Sequence, residues 1–379
     1  MQVSLNGKLE IEHASIYTMG SLMEILNKQK LLNLVDGAAI FSAGGGGAPE
    51  LGYGIVEKLV NEGYKVRLVK TEEVPEDAIL VNFACVGATS AVGYDNDAAV
   101  KTLKTLEEHV GKKFFGVVPV ELGGFNTLVA VDVAARCGLP VVDADGAGRA
   151  VPEVHLKVYT IDNIPLAPMS IADLHAQNII LVKKTADSKA AERIARILAS
   201  EWKGTAYTAR RIITGKQART SPIQGTLSKS IRIGKLLRTT ENPVEAILSE
   251  IGGYKLFTGR VARASKRTTE GFTWVDVYMR GTDEFKGSTF IFRAKNEILV
   301  AYRDGELAGM APDIITPLNP KSGKCVTAER LREGEELVVI GIKAPEKWRT
   351  EKGLELWREV LQRSGIIESY VPIENLAEA

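Results

Sequence analysis

The chain has 379 residues, long enough for two hydrophobic cores, and its 45% hydrophobic and 25% charged content is that of an ordinary globular protein. That mix excludes disordered and fibrous classes. With 48 Lys plus Arg against 47 Asp plus Glu, the net charge of +1 excludes a global field drawing the chain to nucleic acid or anionic lipid.

The opening stretch, MQVSLNGKLEIEH, lacks the basic-then-apolar build of a signal peptide. No apolar run reaches the roughly 20 residues that span a bilayer. These features predict a cytoplasmic protein. Residues 18–34 read as a helix, with Leu22, Ile25, Leu26 and Leu32 on one face. Ala38–Phe41 then reads as a short strand running into Gly44, Gly45, Gly46 and Gly47, and Pro49–Asn61 as a helix opened by proline. Strands follow at Lys65–Val69 and Ile79–Ala84, a helix at Asn96–Val110, a strand at Phe114–Val118, a helix at Asn126–Arg136 and a strand at Leu139–Val142. Alternation of this kind predicts an open, mostly parallel α/β sheet covered on both faces.

The pattern changes near Asp162–Pro165, which divides an α/β domain over 1–168 carrying the site from a mixed, then β-rich domain over 169–379. Ser188–Ser200 and Pro222–Arg238 read as helices, the second capped by Thr220 or Ser221. From Tyr254 the signal has period two. Tyr254–Ala262, Phe272–Met279, Thr289–Phe292, Ile298–Tyr302 and Leu337–Ile342 predict a small antiparallel barrel or sandwich.

In an open α/β sheet a ligand sits outside the carboxyl ends of the strands. The unusual local sequences all fall at such ends. Gly44–Gly47 would let backbone N–H groups approach a ligand, or would serve only as a tight turn. Without the Lys-Ser/Thr of a P-loop, and with Pro49 where a dinucleotide fingerprint needs its last glycine, the run does not specify a nucleotide. Glu121 and Asn126 flank two glycines and pair a candidate general base with an orienting amide, or else a loop charge with a helix cap. Asp143 and Asp145 are two carboxylates within three residues. If both are desolvated, one proton affinity rises into the range useful for catalysis, or a cation binds between them. Arg149 and Glu153 follow closely, and a surface ion pair on an Asp-Gly turn is the plainer alternative.

A stretch from Trp202 to Thr240 contains nine Lys or Arg and no Asp or Glu, a solvated face unless Arg210, Arg211 or Arg219 reaches the cleft. Cys85, Cys137 and Cys325 are too scattered for a disulfide framework, and Cys85 reads as a buried, inert thiol. His13, His109, His155 and His175 lack zinc-ligand spacing. A metal, if one acts, is expected to be a hard divalent cation on Asp143, Asp145, Glu121 and Glu153, unless the carboxylates work by sharing a proton.

Taken in order, these motifs resemble a known family. The resembling pieces are Gly44–Pro49, Gly87-Ala88, the Glu121–Asn126 loop and Val141–Ala150, continued by Pro152-Glu153, Pro168-Met169, Pro312–Ile315 and Trp348–Thr350. Over roughly residues 15–375 they are similar to the S-methyl-thiohydantoin desulfurase family, a hydantoinase- and oxoprolinase-associated group. The family pattern has Asp where this chain has Ala48, and Gly-Ala-Pro where it has Gly87-Ala88-Thr89. The resemblance implies an α/β domain followed by a β-rich one. It also implies replacement of the methylthio group of a five-membered ring by oxygen, with Asp143, Asp145 and Glu121 as catalytic carboxylates. Gly44–Gly47, Asn126, Arg149 and Glu153 would then bind substrate. The partners it implies are a small molecule, a second copy of the chain and hydantoinase- or oxoprolinase-type proteins. A non-catalytic, ligand-binding subunit of such a system is the alternative.

Overall fold

The computed structural model describes residues 23–88, 93–202 and 204–377. The first sheet takes its strands from β1 (Glu24–Leu26), β2 (Val66–Val69), β3 (Ile79–Gly87), β4 (Gly116–Pro119), β5 (Val141–Val142), β7 (Met169–Ala172), β8 (Ile179–Val182) and β9 (Thr205–Thr214). Their order is β1-β2-β5-β4-β3-β9-β7-β8. The central β2-β5-β4-β3 run is parallel, and the flanking strands are antiparallel. Between β5 and β7, β6 (Ala144–Asp145) leaves the sheet and pairs with β10 (Ile223–Gln224). Helices α1 (Lys28–Ile40), α2 (Pro49–Asn61), α3 (Asn96–Val110) and α4 (Asn126–Arg136) join the early strands, followed by the short α5 (Val158–Ile161). Then come α6 (Ser188–Glu201), the short α7 (Gly215–Ala218), α8 (Thr226–Thr239) and α9 (Pro243–Ile251).

Three expected elements differ. Ala38–Phe41 is not a strand but the end of α1, which starts two residues after β1 and takes the place of the helix expected over 18–34; residues 18–22 of that expectation lie outside the described residues. Asn27 caps α1 by accepting from the Lys30 N–H, and Leu31, Leu34, Val35, Ala38 and Ala39 then fall on one buried helical face. A four-residue apolar run is equally compatible with a strand and with the last turn of a helix, and the upstream cap decides it. The helix expected from Pro222 instead begins at Thr226, after the bridge at Ile223–Gln224, and its N-cap is Gly225 rather than Thr220 or Ser221. Gly225 has no side chain to offer. Asp143, more than eighty residues earlier, accepts from the Leu227 and Ser228 N–H groups, each at 3.0 Å, and from the Ser228 hydroxyl.

The second sheet is antiparallel throughout. It comprises β11 (Tyr254–Thr269), β12 (Phe272–Gly281), β13 (Thr289–Lys295), β14 (Glu297–Arg303), β15 (Glu306–Met310), β16 (Ile314–Leu318) and β17 (Glu336–Ile342). The order β15-β14-β13-β12-β11-β17-β16 curls into a half-barrel. Period two puts Phe290, Phe292 and Ala294 inward and Ile291 and Arg293 outward along β13. The outer face of β16–β17 packs on α1, α8 and α9, so Ile314, Leu318, Val338 and Ile340 share one core with Leu34, Ile233 and Ile247. Helices α10 (Glu351–Arg363) and α11 (Ile373–Ala377) close the chain, with Trp348 and Trp357 buried edge to face. Among the described residues no helix is long and apolar enough to cross a membrane.

Candidate active site

The carboxyl ends of β3 and β4, the glycine run and the β13–β14 turn of the second sheet converge on a small cavity of about 80 Å³. Asn126, the first residue of α4, ties its walls together. Its side-chain oxygen accepts from the Cys85 N–H at 2.8 Å, and its amide donates to the Cys85 carbonyl at 3.2 Å and to Glu121 at 2.7 Å. The α4 N-cap is Phe125, so the Asn126 amide is spent on the cavity wall instead of on the helix. The other Glu121 oxygen accepts from Lys157 at 3.1 Å and from the Val151 N–H at 3.3 Å. Burial lowers the proton affinity of Lys157, and the Glu121 charge opposes that effect.

Facing them, Glu297 opens β14 and is 2% exposed. One oxygen accepts from the Gly46 N–H at 3.2 Å, and the other has no partner although it is buried. Burial, then the nearby Glu121 charge, pushes its carboxyl up to about 8. At neutral pH Glu297 therefore holds its proton beside Glu121, which is ion-paired with Lys157. Arg210 also lines the cavity, lowered by burial to about 10 and still cationic. Burial pushes the Cys85 thiol well up, leaving it un-ionised.

The glycine run is placed by close approach. At Gly45 a Cβ would stand 2.2 Å from a Glu297 oxygen. At Gly46, which has φ +66, it would stand 2.7 Å from the Gly123 Cα. Gly46 and Gly47 line the cavity, and Gly44 and Gly45 lie behind them against Ile298 and Glu297. Since α1 precedes the run, the strand–loop–helix arrangement of a phosphate-binding fold is not formed there.

The remaining residues singled out from sequence lie elsewhere. Asp143 caps α8 as described. Asp145 turns back on its own loop, accepting from the Ala147 and Gly148 N–H groups at 2.7 and 2.6 Å, and burial pushes it up to about 7. Arg149 donates to the Pro312 and Asp313 carbonyls and lies 4.7 Å over the Trp357 ring, joining the two sheets' loops. Glu153 is held by Lys295 at 2.7 Å and Arg363 at 2.8 Å. Arg211 is spent on the Ile164 carbonyl and the Thr160 hydroxyl, and Arg219 on Glu76 and the Val74 carbonyl. Of the residues proposed from sequence, the structure thus gathers Glu121, Asn126, Gly46, Gly47 and Arg210 around one cavity. Glu297 and Lys157 complete it and were not foreseen; the one local cue is a carboxylate heading the apolar strand Ile298–Ala301. Among the described residues no group of three or more His, Cys, Asp or Glu is placed to hold a metal ion.

Fold and site together define a two-domain protein in which an α/β sheet and a curled antiparallel sheet enclose a small carboxylate-lined cavity. The chain belongs to the S-Me-THD-like family, whose N-terminal domain matches residues 29–183 and whose C-terminal domain matches residues 186–358. A protein from Chromobacterium violaceum, solved by X-ray crystallography, has a similar structure over 92% of this chain and 100% of its own, with a TM-score of 0.77 at 25% identity. A search of curated proteins finds no match.

Proposed function

We propose that this chain hydrolyses an S-methylated thiohydantoin ring to the hydantoin, releasing methanethiol. The observation that carries the reading is the pair Glu121 and Glu297, two carboxyl groups of one cavity, the first ion-paired with Lys157 and the second buried with one oxygen unpartnered and its proton affinity raised. Environments that drive two titratable groups apart mark the acid and the base. In the proposed reaction Glu121 accepts a proton from water as its oxygen bonds to the ring carbon between the two nitrogens. The protonated Glu297 donates to the ring nitrogen, so the tetrahedral intermediate is neutral. The carbon–sulfur bond then breaks, methanethiolate takes up the proton gathered by Glu121, the hydroxyl proton of the intermediate passes back to Glu297, and the ring keeps the oxygen as a carbonyl. Lys157 and Arg210 offer positive charge to the departing sulfur or developing oxygen. Asn126 holds Glu121 in place from the helix start.

The family name supports the ring class. The test is release of methanethiol, read with a thiol reagent, from S-methyl-thiohydantoin incubated with the purified chain. Stoichiometric hydantoin should accompany it. Absence of both products, with the ring shown to bind, would turn the reading to a non-catalytic binding subunit.

A further inference from the structure

A second cleft of about 510 Å³ adjoins the cavity. It lies between α6 of the first domain and the β12–β13 face of the second. The partition is one residue thick. Pro152 and Val154 line the cavity while Glu153 and His155 line the cleft; Asn296 and Glu297 line the cavity while Lys295 lines the cleft. Arg196 lines both. Its guanidinium spans the partition, donating to the Pro152 and Gly271 carbonyls at 3.0 Å each and lying 4.0 Å over the Phe272 ring.

The cleft is positive. Helix α6 presents Lys189, Arg193 and Arg196 at helical spacing, and Lys295 and Arg363 face them. Against these five cations stand three carboxylates, Glu153, Glu192 and Glu270. Glu153 is already held by Lys295 and Arg363, and Glu192 by Arg196. Lys189 pairs with Glu359 outside the cleft, whereas Arg193 makes no ion pair or hydrogen bond among the described residues. His155 is 1% exposed, and neither ring nitrogen has a hydrogen-bond partner; Nδ1 stands 3.4 Å from Glu153. His155 thus backs the wall of the cleft behind Glu153 and does not open onto it. Phe272, Ile197 and the stems of the long cations make the floor apolar.

We propose that the cleft takes the ring substituent of the substrate and selects substituents that end in a carboxylate. This rests on the ring chemistry proposed above. The apolar floor accommodates an alkyl arm, Arg193 and Lys189 meet its acid, and displacement of the Arg196 guanidinium joins the two spaces.

The test compares S-methyl-thiohydantoin carrying a carboxypropyl arm with the same ring carrying a butyl arm. Wild type is expected to show a KM at least tenfold lower for the acid, a preference that shrinks with added salt. In R193E, a substitution at an exposed helix position, the preference collapses. Equal KM values in wild type, or an undiminished preference in R193E, would overturn the proposal. If neither ring releases methanethiol, the hydrolytic reading fails, and calorimetric Kd values for the same two rings decide this proposal alone. A tenfold preference lost in R193E sustains it, and equal Kd values overturn it.

Discussion

Replacing Glu297 by Gln separates what the carboxyl does for the reaction from what it costs the fold. An ordinary glutamate ionises near 4.5, and burial beside Glu121 raises Glu297 to about 8. Below pH 4.5 the group is protonated in both folded and unfolded chains and costs nothing. As pH rises from there to 8, the unfolded chain gives up the proton and the folded one keeps it, so stability falls by about 1.4 kcal/mol per pH unit. The cost is about 3 kcal/mol at pH 7 and about 5 kcal/mol above pH 8. Gln keeps the shape, still accepts from the Gly46 N–H and never ionises, so E297Q escapes this cost. With roughly 2.1 cal/mol/K of unfolding entropy per residue, a chain this long gains about 4 °C in Tm at pH 7. The difference should vanish near pH 4.5. Turnover should move the other way, by about 10²–10⁴-fold, because a general acid has been removed. Wild-type kcat should also decline as pH rises through about 8. The assays are melting curves at pH 5 and pH 7, and methanethiol release from pH 5.5 to 9. Equal stability gains at both pH values, or none, would show that Glu297 is not a buried neutral acid. Wild-type turnover by E297Q would remove it from the chemistry.

Four further outcomes follow from the local surroundings of single residues. Asp143→Ala strips the α8 start of its acceptor and leaves the Leu227 and Ser228 N–H groups unpaired; it should cost about 2–4 kcal/mol in urea unfolding while turnover per folded molecule is kept. Loss of turnover at full stability would instead assign Asp143 to the reaction. Gly45→Ala drives a Cβ into Glu297 and should lower turnover at least about tenfold. Gly54→Ala, in open space on α2, should add up to about 1 kcal/mol in a denaturant melt and leave turnover alone. Arg149→Leu removes the bonds to the Pro312 and Asp313 carbonyls and should cost about 2–4 kcal/mol by the same measurement; a neutral result would mean that the two loops hold together without it.

Much of the architecture is legible in local chemistry. Pro49 at a helix start, Asp95 before Asn96 and the apolar positions of Asn126–Arg136 carry α2, α3 and α4 to the boundaries read from sequence. Alternating strands and helices imply the parallel run, and period two from Tyr254 implies the antiparallel sheet. β9 is another matter. Its sequence, TAYTARRIIT, carries two adjacent arginines inside the basic stretch that reads as a solvated face. Yet Arg210 and Arg211 are 3% and 2% exposed, Arg211 because carbonyl and hydroxyl oxygens from a distant loop accept its protons.

The site divides along the same line. Glu121 and Asn126 stand five residues apart and meet through a local hydrogen bond, so their spacing already suggests their partnership. Asp143 and Asp145 stand two residues apart and diverge, because β6 turns away from the sheet and α8 arrives to take Asp143 as its cap. Glu297 reaches the Gly46 N–H across 251 positions of chain. Hydrophobic period reports which face of an element is buried, since burial of apolar surface is decided residue by residue along that face. Which carboxyl loses its water, and therefore keeps its proton, depends on what a remote segment places against it, and that is a property of the packed chain alone.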